Sequence, residues 1–247
     1  MKTLITLFLF IFNLSSFAQT SGFFEYKITS SKGPTGTLKA YYSAPGSRME
    51  MQMIIPQLPG GGFTRVNIVR AETPSTIIQL DDKTKTYTTI QSKPASQSYG
   101  ENRIVQMLGE EKVAGYNCTH ASITEGTEIR EFWLTTEIID YEKYNNASGG
   151  GNKYMGTGED YAALSKNGAT GFVVKSFSKD PRGGDITMEL QKFEKKDLDA
   201  SLFNIPADYK IAGAGQSTEG IDINKLQNMT PAERDKYLEE MKKKYGK

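Results

Sequence analysis

RMEMQMII, residues 48–55, is the stretch on which the reading of this chain turns. Met49, Met51 and Met53 fall at every second position, and Ile55 continues the row. Side chains of extended backbone alternate between two sides, so these four share one face of a strand. Arg48, Glu50 and Gln52 then point the other way, toward water. An amphipathic strand of this kind has one face on a core or cavity and one face in solvent.

The same period of two recurs on either side. Phe24, Tyr26 and Ile28 alternate with Glu25, Lys27 and Thr29, and Leu38, Ala40 and Tyr42 alternate after the turn sequence SKGPTG. Residues 64–70 and 75–80 are β-branched-rich runs, and DDKT at 81–84 turns the chain into a hairpin over 76–90. Further strands are expected at 104–110, 113–123, 127–135, 171–178 and 185–193. Regular strands with short turns predict a mostly β (α+β) fold, a strongly curved antiparallel sheet or incomplete barrel. Short helices, expected at 136–146 and 161–166, would cover its concave side.

The boundaries follow from composition. Residues 1–18, MKTLITLFLFIFNLSSFA, have the basic start, short apolar run and small-residue end of a signal peptide. The sheet domain spans 19–211, and 212–223, opening with AGAGQSTEG, is expected to be a flexible linker. Residues 224–247 form an amphipathic C-terminal helix: Thr230 caps it, Pro231 opens it and Glu233 completes a capping box. Leu238, Met241 and Tyr245 make its narrow apolar stripe. No segment after the leader is long and apolar enough for a spanning helix. The chain is therefore expected to be exported, to the periplasm or beyond.

Charge excludes some functions. The 30 basic and 29 acidic side chains become equal once Lys2 leaves with the leader, which gives no electrostatic footprint for nucleic acid. One histidine and one cysteine cannot assemble a Cys/His metal centre, so no metal and no cofactor are expected. No residue carries a catalytic signature. The nearest approach is Cys118 and His120, which share a face of one strand about 6.5 Å apart and suggest a thiol-dependent hydrolase as a third reading. A buried small cysteine beside a half-buried histidine is the plainer account. The glycine-rich stretches PGGGF and GGGNKYMGTG lack the phosphate-loop pattern.

Several stretches together, SRMEMQM, QLDDKTKTY, GEEKVAGYNCTH, EFWLTTEI and ITMELQKFEKKDLDASLFNIPADY, resemble a secreted bacterial family, domain of unknown function 4412. The likeness runs over about residues 23–211. It implies an architecture similar to that of LolA-type lipoprotein carriers, in which a curved sheet and its helices hold acyl chains between them. In that frame the methionines gain a purpose, because methionine is unbranched, polarizable and adapts to varied apolar partners. The expected ligand-binding set is Met49, Met51, Met53, Ile55, Tyr42 and Tyr26, and the expected ligand a lipid or other apolar molecule. The alternative is a structural or protein-interaction module of the cell envelope that holds its partner through the C-terminal helix.

Overall fold

The computed structural model describes residues 21–55, 61–91, 103–139, 151–152, 156–179 and 184–212, and positions 229, 230, 233, 236, 237, 239 and 240. The leader therefore lies outside the described residues, as does most of the linker.

Two antiparallel meanders build the sheet. The first is β1 (Gly22–Ser30), β2 (Thr35–Ser43), β3 (Gly46–Ile54), β4 (Gly62–Arg70), β5 (Thr76–Asp81) and β6 (Thr86–Gln91). The second is β7 (Arg103–Val113), β8 (Tyr116–Glu125), β9 (Glu128–Thr135), β12 (Phe172–Lys179) and β13 (Ile186–Lys195). Between β9 and β12 lie the two-residue pair β10 (Gly151–Asn152) and β11 (Gly156–Thr157) and helix α1 (Gly158–Lys166). Pairing of β1 with β13 joins the meanders, and β14 (Lys210–Ile211) adds in parallel to β6. The result is one twelve-stranded unclosed sheet of order β14-β6-β5-β4-β3-β2-β1-β13-β12-β9-β8-β7.

Chain connectivity alone requires this sheet to bend. β6 and β7 are consecutive in sequence yet stand ten strand positions apart. In a flat sheet that is about 48 Å, whereas the chain from Gln91 to Arg103 reaches at most about 42 Å when fully extended. The two strands also run in the same direction, so Gln91 and Arg103 stand at opposite ends of them. The edges have to curl toward each other.

Following cross-strand partners gives the sheet two unlike faces. One row runs Phe63, Met53, Gly36, Ile28, Met188, Ser176, Phe132, Ala121, Met107 from β4 to β7, apolar almost throughout. The neighbouring row on the reverse face runs Thr64, Gln52, Thr37, Lys27, Glu189, Lys175. On the apolar face, contacts skip over β13: the Phe24 ring stacks on Phe172 at 4.6 Å, and the Tyr26 hydroxyl donates to the Val173 carbonyl at 2.9 Å. Strands must fold toward one another for side chains to meet in this way, so the apolar face is the inner one.

Among the described residues three apolar clusters stand out. The largest contains Phe24, Tyr26, Ile28, Leu38, Met188 and Leu190 on the inner face. It continues past the bulge in β12 through Phe172 and Val174 to Trp133 and Cys118. A second cluster packs Tyr161, Ala163 and Leu164 of α1 over Ala121, Ile123, Phe132 and Leu134. The third lies on the outer face, where Val66, Ile68, Ile78 and Leu80 are covered by Phe203 and Tyr209 of the segment after β13.

The expectation that short helices cover the sheet needs correction. Among the described residues α1 is the one helix over the sheet, and it covers only the β8–β9 end of the inner face. Over β4 and β5 the cover is an extended strap with a single 3-10 turn, Ala200–Phe203, because Pro206 and the Asp199 cap leave room for no more. Residues 136–138 are bends and Ile139 is irregular, and the rest of the helix expected at 136–146 falls outside the described residues. α1 begins before residue 161 because Thr157 and Asp160 make a reciprocal capping box.

Candidate functional site: the methionine face

β3 sits between β2 and β4 and places its methionines by strict alternation. Met49, Met51 and Met53 stand opposite Ala40, Leu38 and Gly36 on one side, and opposite Asn67, Arg65 and Phe63 on the other. All three pack against the main core cluster yet stay half-buried. Met53 needs the bare backbone of Gly36, since a Cβ there would lie 2.6 Å from its sulfur and 2.3 Å from the Gln52 carbonyl oxygen. On the reverse side Arg48 pairs with Glu50 at 2.7 Å and donates to the Leu202 carbonyl of the strap at 3.3 Å.

The remaining expected ligand residues divide. Tyr42 is half-buried against the same cluster as the methionines. Tyr26 is fully buried, with its hydroxyl committed to the Val173 carbonyl, so it acts as core. Ile55 lies just past the end of β3, half-buried, with its amide donating to the Gly61 carbonyl.

Polar groups border this apolar surface on β4 and β5. Asn67 accepts a hydrogen bond from the Gln79 amide at 3.2 Å, and Arg65 lies over the Phe63 ring at 6.0 Å. Such a border could orient an amphiphile, with its apolar part on the methionines.

Cys118 and His120 do share a face, as their spacing requires, but they do not form a nucleophile and base. The imidazole places Nε2 2.9 Å from Glu131 and Nδ1 3.4 Å from Glu111, and its ring stacks on Trp133 at 4.1 Å. The Cys118 thiol donates to the Tyr116 carbonyl at 3.5 Å. Burial pushes that thiol up from its ordinary value, with the Glu137 and Glu111 carboxylates adding to the effect. A nucleophilic cysteine needs the opposite shift. Nor does this group converge on a metal ion, because the two ring nitrogens face different carboxylates on opposite sides of the ring. No metal-binding group of three or more such side chains occurs among the described residues.

Sequence reasoning passed over two features of this region. Trp133 is covered on one side by His120 and on the other by Lys175, whose ammonium lies 4.4 Å from the ring centroid. The register of β8, β9 and β12, which only pairing reveals, creates that stack. The second feature anchors α1. Asp160, fully buried, pairs with Arg130 at 2.8 Å and lies 3.7 Å from Arg103, while Glu159 pairs with Arg103 at 2.9 Å. The T-x-x-D pattern at 157–160 was the available signal for the helix start.

No curated protein matches this chain. Solved structures similar in outline include an uncharacterized conserved protein from Thermus thermophilus, with TM-score 0.48 and 10% identity, over 78% of this chain and 90% of that one. The Pseudomonas aeruginosa MucA/MucB complex matches with TM-score 0.42 and 12% identity, over 83% of this chain and 62% of the matched chain. A LolA superfamily protein from Nitrosomonas europaea matches with TM-score 0.30 and 8% identity, over 76% and 91%. At these scores the likenesses carry no ligand, partner or activity to this chain. The sequence comparison is more direct: the model of the domain of unknown function DUF4412 matches residues 21–209, and the chain belongs to that family.

Proposed function

We propose that this is a non-enzymatic binding protein of the cell envelope that takes a lipid or other apolar ligand on its methionine face. One observation carries the reading. Met49, Met51 and Met53 are continuous with the buried core but stay only half-buried, and no described helix residue belongs to the cluster they join. Core filler would be sealed; an adaptable apolar surface left partly open suits acyl chains of varied shape. Export rests on the leader sequence. Organic extraction of natively purified protein, followed by mass spectrometry, should recover a lipid, and the delipidated protein should take up a fluorescent acyl probe. Failure of both would end this reading.

A second reading, an interaction module, has its own support at the sheet edge. Among the described residues β7 pairs only with β8, and it exposes Ile104, Met107 and Leu108. Exposed edge strands can recruit a partner strand. Ile104→Lys should abolish capture of a partner if this edge is the hook.

A further inference from the structure

We infer that the ligand of the methionine face carries an uncharged group that both donates and accepts hydrogen bonds, an amide or a hydroxyl, and that Asn67 and Gln79 receive it. This names the ligand class for the reading proposed above and rests on that reading.

The inner face changes character from strand to strand. Met49 stands opposite Asn67, and Asn67 opposite Gln79, so the three side chains form one row across β3, β4 and β5, which Thr88 of β6 continues. Two residues along the strands, Val69 and Ile77 face each other and flank the amides with apolar surface. A polar group in such surroundings is stable only with a hydrogen-bond partner or with solvent.

The two amides satisfy each other only in part. Gln79 Nε2 donates to Asn67 Oδ1 at 3.2 Å. Whichever way the groups are turned, this single bond leaves one carbonyl oxygen and one amino group unspent. Among the described residues, the polar atoms sealed from solvent without a hydrogen bond are Asp81 Oδ2, Arg103 Nη1, Arg130 Nε and Asp160 Oδ1. The unspent atoms of the amide pair are not among these, so they keep access to the space over the sheet. Gln79 is itself only 9% exposed, which leaves its side chain little freedom and makes the pair a preformed site.

The chemistry on offer selects the ligand. A group that both donates and accepts satisfies the two unspent atoms at once. A carboxylate or an ester only accepts; it would use the amino group and leave the carbonyl facing another oxygen. Charge does not reverse the choice. Continued by one residue, the register of β4 and β5 sets Arg65 beside Asp81, so the cation has an anion for a neighbour. Arg65 is also engaged over the Phe63 ring at 6.0 Å and in a further contact.

Displacement of a fluorescent acyl probe from the delipidated protein tests this with four compounds of one chain length: decanamide, monodecanoylglycerol, methyl decanoate and, at pH 8, decanoate. The amide, the glyceride or both should bind about tenfold tighter than the ester and the carboxylate, the worth of one good hydrogen bond. Which of the two binds tighter tells an amide ligand from a hydroxyl one. Equal affinities for all four, or tightest binding of decanoate, would overturn the inference and leave the ligand reading standing. No probe uptake at all would remove both. Asn67→Leu should lower decanamide affinity to that of methyl decanoate while ester affinity holds. Unchanged decanamide affinity in the folded variant would overturn the assignment of this site, and the rank order in the unaltered protein decides the ligand class even if the variant does not fold.

Discussion

Gly36 shows how much a single residue controls here. Its missing side chain lets Met53 lie flat across β2, and the nearest obstacle to a Cβ is backbone, the Gln52 carbonyl oxygen at 2.3 Å. Backbone cannot step aside, so Gly36→Ala should cost about 2 kcal/mol in urea denaturation, typical of an overpacked site. Cys118 offers a second test. Because burial raises its thiol, the thiolate is scarce at neutral pH. Alkylation of the folded protein should be slow at pH 7.5, accelerate only above the ordinary thiol range near 8.5, and become fast at any of these pH values once urea unfolds the chain. Rapid labelling of native protein at pH 7.5 would revive the thiol-enzyme reading. Alternation along β3 was legible from residues 48–54 alone. The commitment of Tyr26 to the core was not, since its partner, the Val173 carbonyl, lies 147 residues away.

Elements in this molecule are held by polar clamps as well as by apolar packing. α1 is pinned by Asp160, whose carboxylate meets Arg130, approaches Arg103 and accepts the Thr157 amide at 2.9 Å. Asp160→Ala removes one half of the capping box and leaves two arginines, both largely buried, without this carboxylate. The expected loss is about 3 kcal/mol, seen as a lower urea midpoint. The outer strap has its own clamp, the Tyr209 hydroxyl donating to Asp82, with Lys85 over the Tyr209 ring at 4.9 Å. Burial, then the Asp82 hydrogen bond and charge, raise the Tyr209 phenol well above its ordinary value. The folded form thus holds its proton where the unfolded form would lose it. The stabilisation is complete below the ordinary phenol value of about 10 and declines as pH rises beyond it. Comparing urea midpoints of the native protein and Tyr209→Phe from pH 8 to 11 should show the difference narrowing only above that value. Strand positions and the capped tail could be read in advance, because period and caps are local. The β7–β8 turn was placed too early: it falls at Ala114 and Gly115, both at positive φ, and Ala there gives no sequence warning.

At the scale of the whole molecule, the proposed ligand reading rests on the two-faced sheet. Its inner row carries apolar side chains from β4 to β7, and on β3 the methionines of that face stay half-buried. Met51→Gln, at the centre of these methionines, should leave the fold intact and weaken acyl-probe binding roughly tenfold, in line with about 1.4 kcal/mol of lost apolar contact. Unchanged binding in a folded variant would move the ligand away from this face.

The sequence by itself determined that the chain is built of amphipathic strands, which side of β3 faces inward, and where the tail helix is capped. Each of these depends on residues within a few positions of one another. Only the tertiary structure decided that β1 and β13 zip the two meanders together, that β6 and β7 end at opposite sides of the curl, and that α1 covers one end of the inner face while an extended strap covers part of the outer. Those outcomes depend on pairings between residues far apart in sequence, such as Ile28 with Met188. Local period restricts such pairings to one face, but it does not choose among the strands that could satisfy them.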